Sequence, residues 1–307
     1  MKRIFVRGIS RSGGTLMATV LDAHPQVAMC YEIYHNLLVP PDDSQEQEQA
    51  HRHIEQLRAA AKSQSQPRRS KSARIEDPDL RTFAARAERA GIQPPTLLRL
   101  LEEHVGQGCG LSSFQDRMLF IERIAKEKMQ REAKEHWGVK IPGTYDQLQA
   151  MFDDAYFLFM LRDARDVASS QKLVGNFNKS PEEVAHSWQR DVLKFQKFAS
   201  QPFVRARLVR YEQLAADPEP ELREITEFLE LTWDNRLLHF YEEDLSLYRN
   251  PKGHLSADQV NRPINTGSIG RWRRDLTSEE VKAVEATAGP LLQQLGYGLS
   301  TEARAYL

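Results

Sequence analysis

Residues 4–25 read IFVRGISRSGGTLMATVLDAHP, and the fold turns on how this stretch divides. Ile4 to Val6 is a short apolar run closed by Gly8. A turn rich in Ser, Arg and Gly follows, and Thr15 to Asp22 then carries Leu16, Val20 and Leu21 at helical spacing. The order is strand, loop, helix. Such a loop, Ser10-Arg11-Ser12-Gly13-Gly14-Thr15, aims backbone N–H groups and a helix N-terminus at its occupant, which suits an anion. A Walker A loop needs GxxxxGK[ST]. Here the Lys is missing and Arg11 stands at the loop's front, which disfavours a Mg-nucleotide triphosphatase. An ordinary tight strand-to-helix turn would leave the same Gly-rich mark.

Working outward, Ala155 to Leu161 (AYFLFML) and Phe203 to Val209 read as buried strands, short, apolar and rich in aromatic or β-branched residues. Strands alternating with helices imply an α/β fold with a parallel sheet flanked by helices. Between the first helix and Trp137 the pattern changes to long polar helical stretches, Gln45 to Lys62 and Asp116 to His136. The basic segment QSQPRRSKSAR, Gln64 to Arg74, interrupts them. The expectation is a single domain over 1–307 with a mainly helical insertion at about 40–136 on the acceptor side. No internal repeat is visible.

The 307 residues are 40% hydrophobic, enough for a globular core. Forty-two Lys and Arg against 43 Asp and Glu leave a formal charge of -1, so no global basic excess marks a nucleic-acid or membrane-surface binder, and an anion site must be local. Cys30 and Cys109 are the two cysteines, with no CxxC pair and no Cys/His spacing suited to zinc, so neither a disulfide framework nor a metal is expected. The first residues, MKRIFVRGISRSGG, enter a strand at once and offer neither a hydrophobic signal core nor a membrane span, which reads as cytoplasmic.

The run RSGGTLMATVLDAHPQVAMCYE, residues 11–32, resembles the 5′-phosphosulfate loop and first helix of the sulfotransferases, and is most similar to their tyrosylprotein group. That pattern is RSGTTLM, then LDAHP, then a glutamate. Arg11, Ser12, Gly13, Thr15, Leu16 and Met17 match it, as do Leu21 to Pro25 and Glu32, while Gly14 stands where the family usually has Thr. The resemblance covers most of the chain outside about Val39 to His136. GVKIP with Lys140 is similar to the family's lysine-bearing segment. LRDARDVASS resembles the segment holding a 3′-phosphate through Arg162 and Ser170. RYEQLAADP places Tyr211 as at the adenosine pocket, and SADQVNRPINTGSIGRWRR resembles the late loop over the nucleotide, with Ser256 and Arg271 matching.

The resemblance implies a P-loop-like fold and 3′-phosphoadenosine-5′-phosphosulfate (PAPS) as co-substrate. The product is 3′-phosphoadenosine-5′-phosphate (PAP), and no metal takes part. The nucleotide would be held by Arg11, Ser12, Gly13, Gly14, Thr15, Leu16, Arg162, Ser170, Tyr211, Ser256 and Arg271. Glu32 is the candidate general base, a carboxylate whose proton affinity a neighbouring anion can raise toward working pH. Arg11 and Lys140 would supply positive charge where negative charge develops, Lys140 near the bridging oxygen. Arg162 lies at the carboxyl end of an apolar strand, the edge where open α/β sheets bind ligands, and its guanidinium can grip a phosphate bidentately. Each residue also has a plain reading: Thr15 as a helix cap, Arg162 in a salt bridge with Asp163 or Asp166, Tyr211 at a core edge.

The acceptor is a hydroxyl: phenolic or tyrosyl by the resemblance, with sugars and small alcohols open. Acidic residues beside a peptide acceptor could meet the basic Arg68-Arg69-Ser70-Lys71 linker. The resemblance makes a homodimer plausible. Two alternatives share the same strand-loop-helix: a P-loop-type ATP-dependent phosphotransferase, and a PAP-binding module without chemistry.

Overall fold

The computed structural model describes residues 1–39, 46–62, 75–141, 145–174, 178–249 and 260–300. The expected Gln64 to Arg74 linker, and with it Arg68, Arg69 and Lys71, lies outside them, as does Ser256. Five strands, β1 (Arg3–Arg7), β2 (Val27–Cys30), β3 (His136–Lys140), β4 (Tyr156–Leu161) and β5 (Arg205–Arg210), form one sheet in the order β2-β3-β1-β4-β5. β2 pairs parallel with β3, Val27 opposite His136 and Cys30 opposite Val139. β4 pairs parallel with β5, Tyr156 opposite Arg205 and Leu161 opposite Arg210. Parallel neighbours need helical crossovers between them, and the first, α1 (Gly14–Ala23), follows β1 directly.

The chain forms two compact units. The first holds Met1–Phe5, Ala18–Pro142 and Phe240–Asn261. Its helices are α2 (Glu46–Lys62), α3 (Pro78–Arg89), α4 (Pro94–Gly106) and α5 (Phe114–Arg131). α3 and α5 begin on Asp77 and Ser113, whose side chains accept backbone N–H bonds from the first turn. Their apolar faces meet in a core where Phe83 stacks on Phe120 at 6.0 Å, and Trp137 meets Phe5 edge-on at 5.8 Å. A Cβ on Gly138 would fall 2.7 Å from the Ile4 carbonyl and closer still to the Met29 sulfur, so β3 can lie here only with glycine at that position. Burial pushes the Cys30 thiol up to about 12, which makes it a core residue and not a nucleophile.

A buried charge network ties this unit together. Asp22, at the end of α1, accepts from Met29 N at 2.7 Å and the Tyr31 hydroxyl at 2.6 Å, and pairs with Lys128 at 3.0 Å. Lys134 donates to the Asp22 carbonyl at 2.5 Å. Asp22 and Lys128 are 1% and 2% exposed as side chains, a depth at which neither would be tolerated alone.

The second unit holds Val6–Met17, Gly143–His239 and Arg262–Leu307. It contains β4, β5, α6 (Tyr145–Met151), α7 (Ala164–Val174), α8 (Pro181–Ala199), α9 (Tyr211–Ala216) and α10 (Pro218–Phe228). Toward the end come α12 (Trp272–Asp275) and α13 (Ser278–Gln294), after a short helix α11 (Ser246–Arg249) that belongs to the first unit. All six β4 residues are buried, which explains their unbroken apolar run. Phe159 stacks on Phe195 at 4.7 Å and Tyr145 on Phe198 at 4.9 Å, fixing α6 and α8. α8 and α13 each start with a capping box, Ser180 with Glu183 and Thr277 with Glu280.

Two expected boundaries shift. The helix expected over Asp116 to His136 stops at Arg131: Ala133 turns left-handed (φ 52°), and Glu135 N and His136 N both donate to the Gln26 carbonyl, opening β3. The strand expected from Phe203 begins at Arg205, because Phe203 sits at φ 66° and is 94% exposed.

Candidate active site

In the second unit, Arg162, Ser170 and Tyr211, all expected to hold a nucleotide, gather around the loop between β1 and α1. Arg11 and Gly13 both take left-handed backbone conformations, φ 78° and 95°, and Ser12 N bonds the Ile9 carbonyl at 3.0 Å, which curls the loop. α1 opens with Met17 N on Gly13 O at 3.0 Å, so the amides of its first turn, Gly14, Thr15 and Leu16, point out of the helix N-terminus. A Cβ on Gly13 would come within 2.8 Å of the Tyr211 ring, so glycine lets this aromatic approach the loop closely. Ser12 is fully buried, and its hydroxyl has no hydrogen-bond partner among the described residues.

Arg11 and Arg162 knit the loop to its surroundings. Arg11 Nε donates to the Ser170 hydroxyl at 3.0 Å, which brings together the front of the loop and the second turn of α7. Arg162 Nη1 donates to the Arg11 carbonyl at 3.0 Å, and Nη2 to the Ser268 carbonyl. Its guanidinium lies over the Tyr211 ring at 4.8 Å. Gln171 adds a bond to the Ser10 carbonyl at 3.0 Å. Thus the Arg162 fork, expected on sequence to be open to a phosphate, already serves two main-chain carbonyls.

The salt bridges weighed for Arg162 also resolve. Asp163 goes to Arg165 at 2.7 Å, and Asp166 stands 3.9 Å from Arg162. Asp166 chiefly accepts from Gly270 N at 2.7 Å and Trp272 N at 3.0 Å, and so shapes the turn before α12. Burial pushes the Asp166 carboxyl up, against the pull of Arg162 and those two amides. Arg271 is engaged by Asp275 at 2.8 Å, which also accepts from Ser169 at 2.9 Å. These bonds, the one from Arg271 foremost, hold the Asp275 carboxyl down at about 2.

The first unit presents a different cluster. Glu32, just beyond β2, sits at φ 57°, a left-handed conformation that costs a non-glycine residue about 1–3 kcal/mol and persists only where surroundings enforce it. Lys140 Nζ, at the end of β3, bonds Glu32 Oε1. Arg89 Nη1 lies 3.7 Å from Oε2, and Arg86 Nη1 donates to the Glu32 carbonyl at 2.9 Å while its guanidinium covers the Tyr34 ring at 4.2 Å. Burial works against the Lys140 charge, yet Glu32 and Tyr34 outweigh it and hold the ammonium above the usual lysine range. Among the described residues, Lys140 and Arg89 bring positive charge to the Glu32 carboxylate. Sequence reasoning missed Arg86 and Arg89. Their i, i+3 spacing puts both on one face of α3, but nothing local ties that face to Glu32.

No group of three or more His, Cys, Asp or Glu side chains among the described residues is arranged to hold a metal ion, and no described helix is long and apolar enough to cross a membrane.

The sulfotransferase family model matches residues 3–235, from the first residue of β1 to beyond α10. The chain belongs to the sulfotransferase family. Among sulfotransferases of known name, the protein-tyrosine sulfotransferase of Drosophila melanogaster is 28% identical over 97% of this chain and 52% of its own length. Protein-tyrosine sulfotransferase A of Caenorhabditis elegans is 25% identical over 96% and 67%. The chain thus spans about half to two thirds of these relatives. In fold it is similar to the sulfotransferase domain from the curacin biosynthetic pathway, with TM-score 0.53 and 18% identity over 97% of this chain and 98% of that one.

Proposed function

We propose that this protein is a sulfotransferase using PAPS as donor and the hydroxyl of a tyrosine in a protein or peptide as acceptor. The observation that carries the reading is a sulfotransferase match across 3–235 whose glycine-rich loop, Arg162, Ser170 and Tyr211 are drawn together by hydrogen bonds and packing. The names of the fly and worm relatives support the tyrosine acceptor. In this reading the acceptor oxygen attacks sulfur in line, its proton passes to Glu32, the bond from sulfur to the 5′-phosphate oxygen breaks, and PAP leaves with the electron pair. Arg11 and Lys140 offset the charge that builds on the transferring group and the leaving oxygen. First-turn amides of α1 suit the 5′-phosphate, while Arg162, Ser170 and Arg271 suit the 3′-phosphate and Tyr211 the adenine.

A ligand that binds only the folded state raises stability by RT ln(1 + [L]/Kd). PAP at 100 times its Kd should therefore raise the thermal midpoint by roughly 5–10 °C, following about 2.7 kcal/mol, while 5′-AMP and Mg-ATP leave it nearly unmoved. A shift with Mg-ATP alone would replace this reading with a phosphotransferase. PAP binding without turnover of PAPS on any tyrosine peptide would leave a binding module. Arg162→Ala should weaken PAP by about 10-fold or more, since charged hydrogen bonds contribute about 1.5–3 kcal/mol each. Unchanged PAP affinity in a titration would remove Arg162 from the nucleotide site.

A further inference from the structure

The geometry around Glu32 gives its two carboxylate oxygens different partners. The carboxylate has two cations on different oxygens: Lys140 from β3 on Oε1, and Arg89 from α3 at 3.7 Å from Oε2. Arg86, also from α3, holds the Glu32 carbonyl, and Tyr34, two residues further along the chain, lies under the Arg86 guanidinium. Arg89 is only 10% exposed as a side chain, against 21% for Glu32. Burial pulls its pKa down and Glu32 pulls it back up, so the carboxylate helps keep this guanidinium charged. Its place at the last residue of α3, one turn from Arg86, gives it a rigid mount.

We infer that Arg89 is a positioning residue for the proton transfer: it anchors Glu32 Oε2 so that the carboxylate presents Oε1 to the acceptor hydroxyl. The acceptor O–H bond then breaks toward Oε1 as the oxygen–sulfur bond forms, and the sulfur–oxygen bond to PAP takes the leaving electron pair. This rests on the sulfuryl-transfer reading above. A second cation also keeps the carboxylate ionised and ready to accept, because an opposite charge within about 4–6 Å favours the charged form.

The test compares wild type, Arg89→Met and Arg89→Lys by two readouts. The first is a 13C titration of the Glu32 carboxyl, its signal assigned with Glu32→Gln, which requires no turnover. Arg89→Met should raise the carboxyl's proton affinity by about tenfold or more, and Arg89→Lys should bring most of it back. The second is the pH profile of kcat with PAPS and a tyrosine peptide: the methionine variant should lose about tenfold near neutrality with its acid limb moved to higher pH, while PAP binding is unaltered. An unmoved Glu32 midpoint overturns the inference, as does a kcat loss that is the same at every pH. If the methionine variant does not fold, Arg89→Gln keeps length and hydrogen bonding and carries the same readouts. A wild type that never turns over PAPS sinks the functional reading instead, and the carboxyl titration still reports whether Arg89 controls Glu32.

Discussion

Glu32→Gln should lower kcat for sulfuryl transfer by about 10²- to 10⁴-fold while leaving the thermal shift caused by PAP intact. The substitution is nearly isosteric, and a glutamine oxygen can still accept the hydrogen bond that Lys140 gives to Oε1. Arg86 bonds the backbone carbonyl at residue 32, which the change does not touch. What disappears is the ability to take a proton from the acceptor. A steady-state assay with PAPS and a tyrosine peptide, run beside a PAP melting curve, separates the two quantities. Full turnover by the variant would show that another group, or bulk water, removes the proton.

Lys128→Met should cost about 3–5 kcal/mol of stability, because it leaves Asp22 buried with its nearest cation gone. For a protein of this size each kcal/mol corresponds to roughly 2–4 °C, so a midpoint drop of about 6 °C or more is expected. Lys134, 3.7 Å from the carboxylate, and the bonds from Met29 N and Tyr31 keep the loss from being larger. The pH dependence has a defined sign. Burial alone would raise the Asp22 pKa, but Lys128, Lys134, Tyr31 and Met29 outweigh it and lower it below 3.8. The stability from Asp22 is therefore full above the unfolded carboxyl pKa of about 3.9 and drains away as pH falls below it. Burial opposes the Lys128 charge, yet Asp22 and Glu132 raise its pKa, so its share holds below the unfolded lysine pKa and is lost as pH rises past the raised one. Denaturant melts at pH 3, 5 and 7 should show the gap between wild type and variant shrinking at the acid end. A constant gap would mean that packing, not charge, carries the effect.

The glycine-rich loop was legible because its signals are local: an apolar strand closed by Gly8, a turn rich in Ser, Arg and Gly, and a helix that starts at once. β4 was legible for a related reason, since a strand buried on both faces writes its burial into six consecutive apolar residues. β2 was not, because Val27–Cys30 is four residues long and carries neither alternation nor a turn signal of its own. α5 was read too long because REAKEH keeps a helical composition past Arg131, while the actual stop is Ala133 in a conformation that glycine usually marks. The surroundings of Glu32 were least legible: Arg86 and Arg89 reach it across more than fifty residues, and no local pattern announces either contact.

Arg162 holds the loop at residue 11 and the turn at residue 268 through their carbonyl oxygens, not through their side chains. A clamp made to the main chain is indifferent to which amino acid occupies either end. Mutational drift can therefore rewrite the side chains along the Ser268 turn while this fastening of the glycine-rich loop stays intact. Such a division between a main-chain frame and a freely edited lining lets the side chains of that turn change without loosening the loop at residue 11.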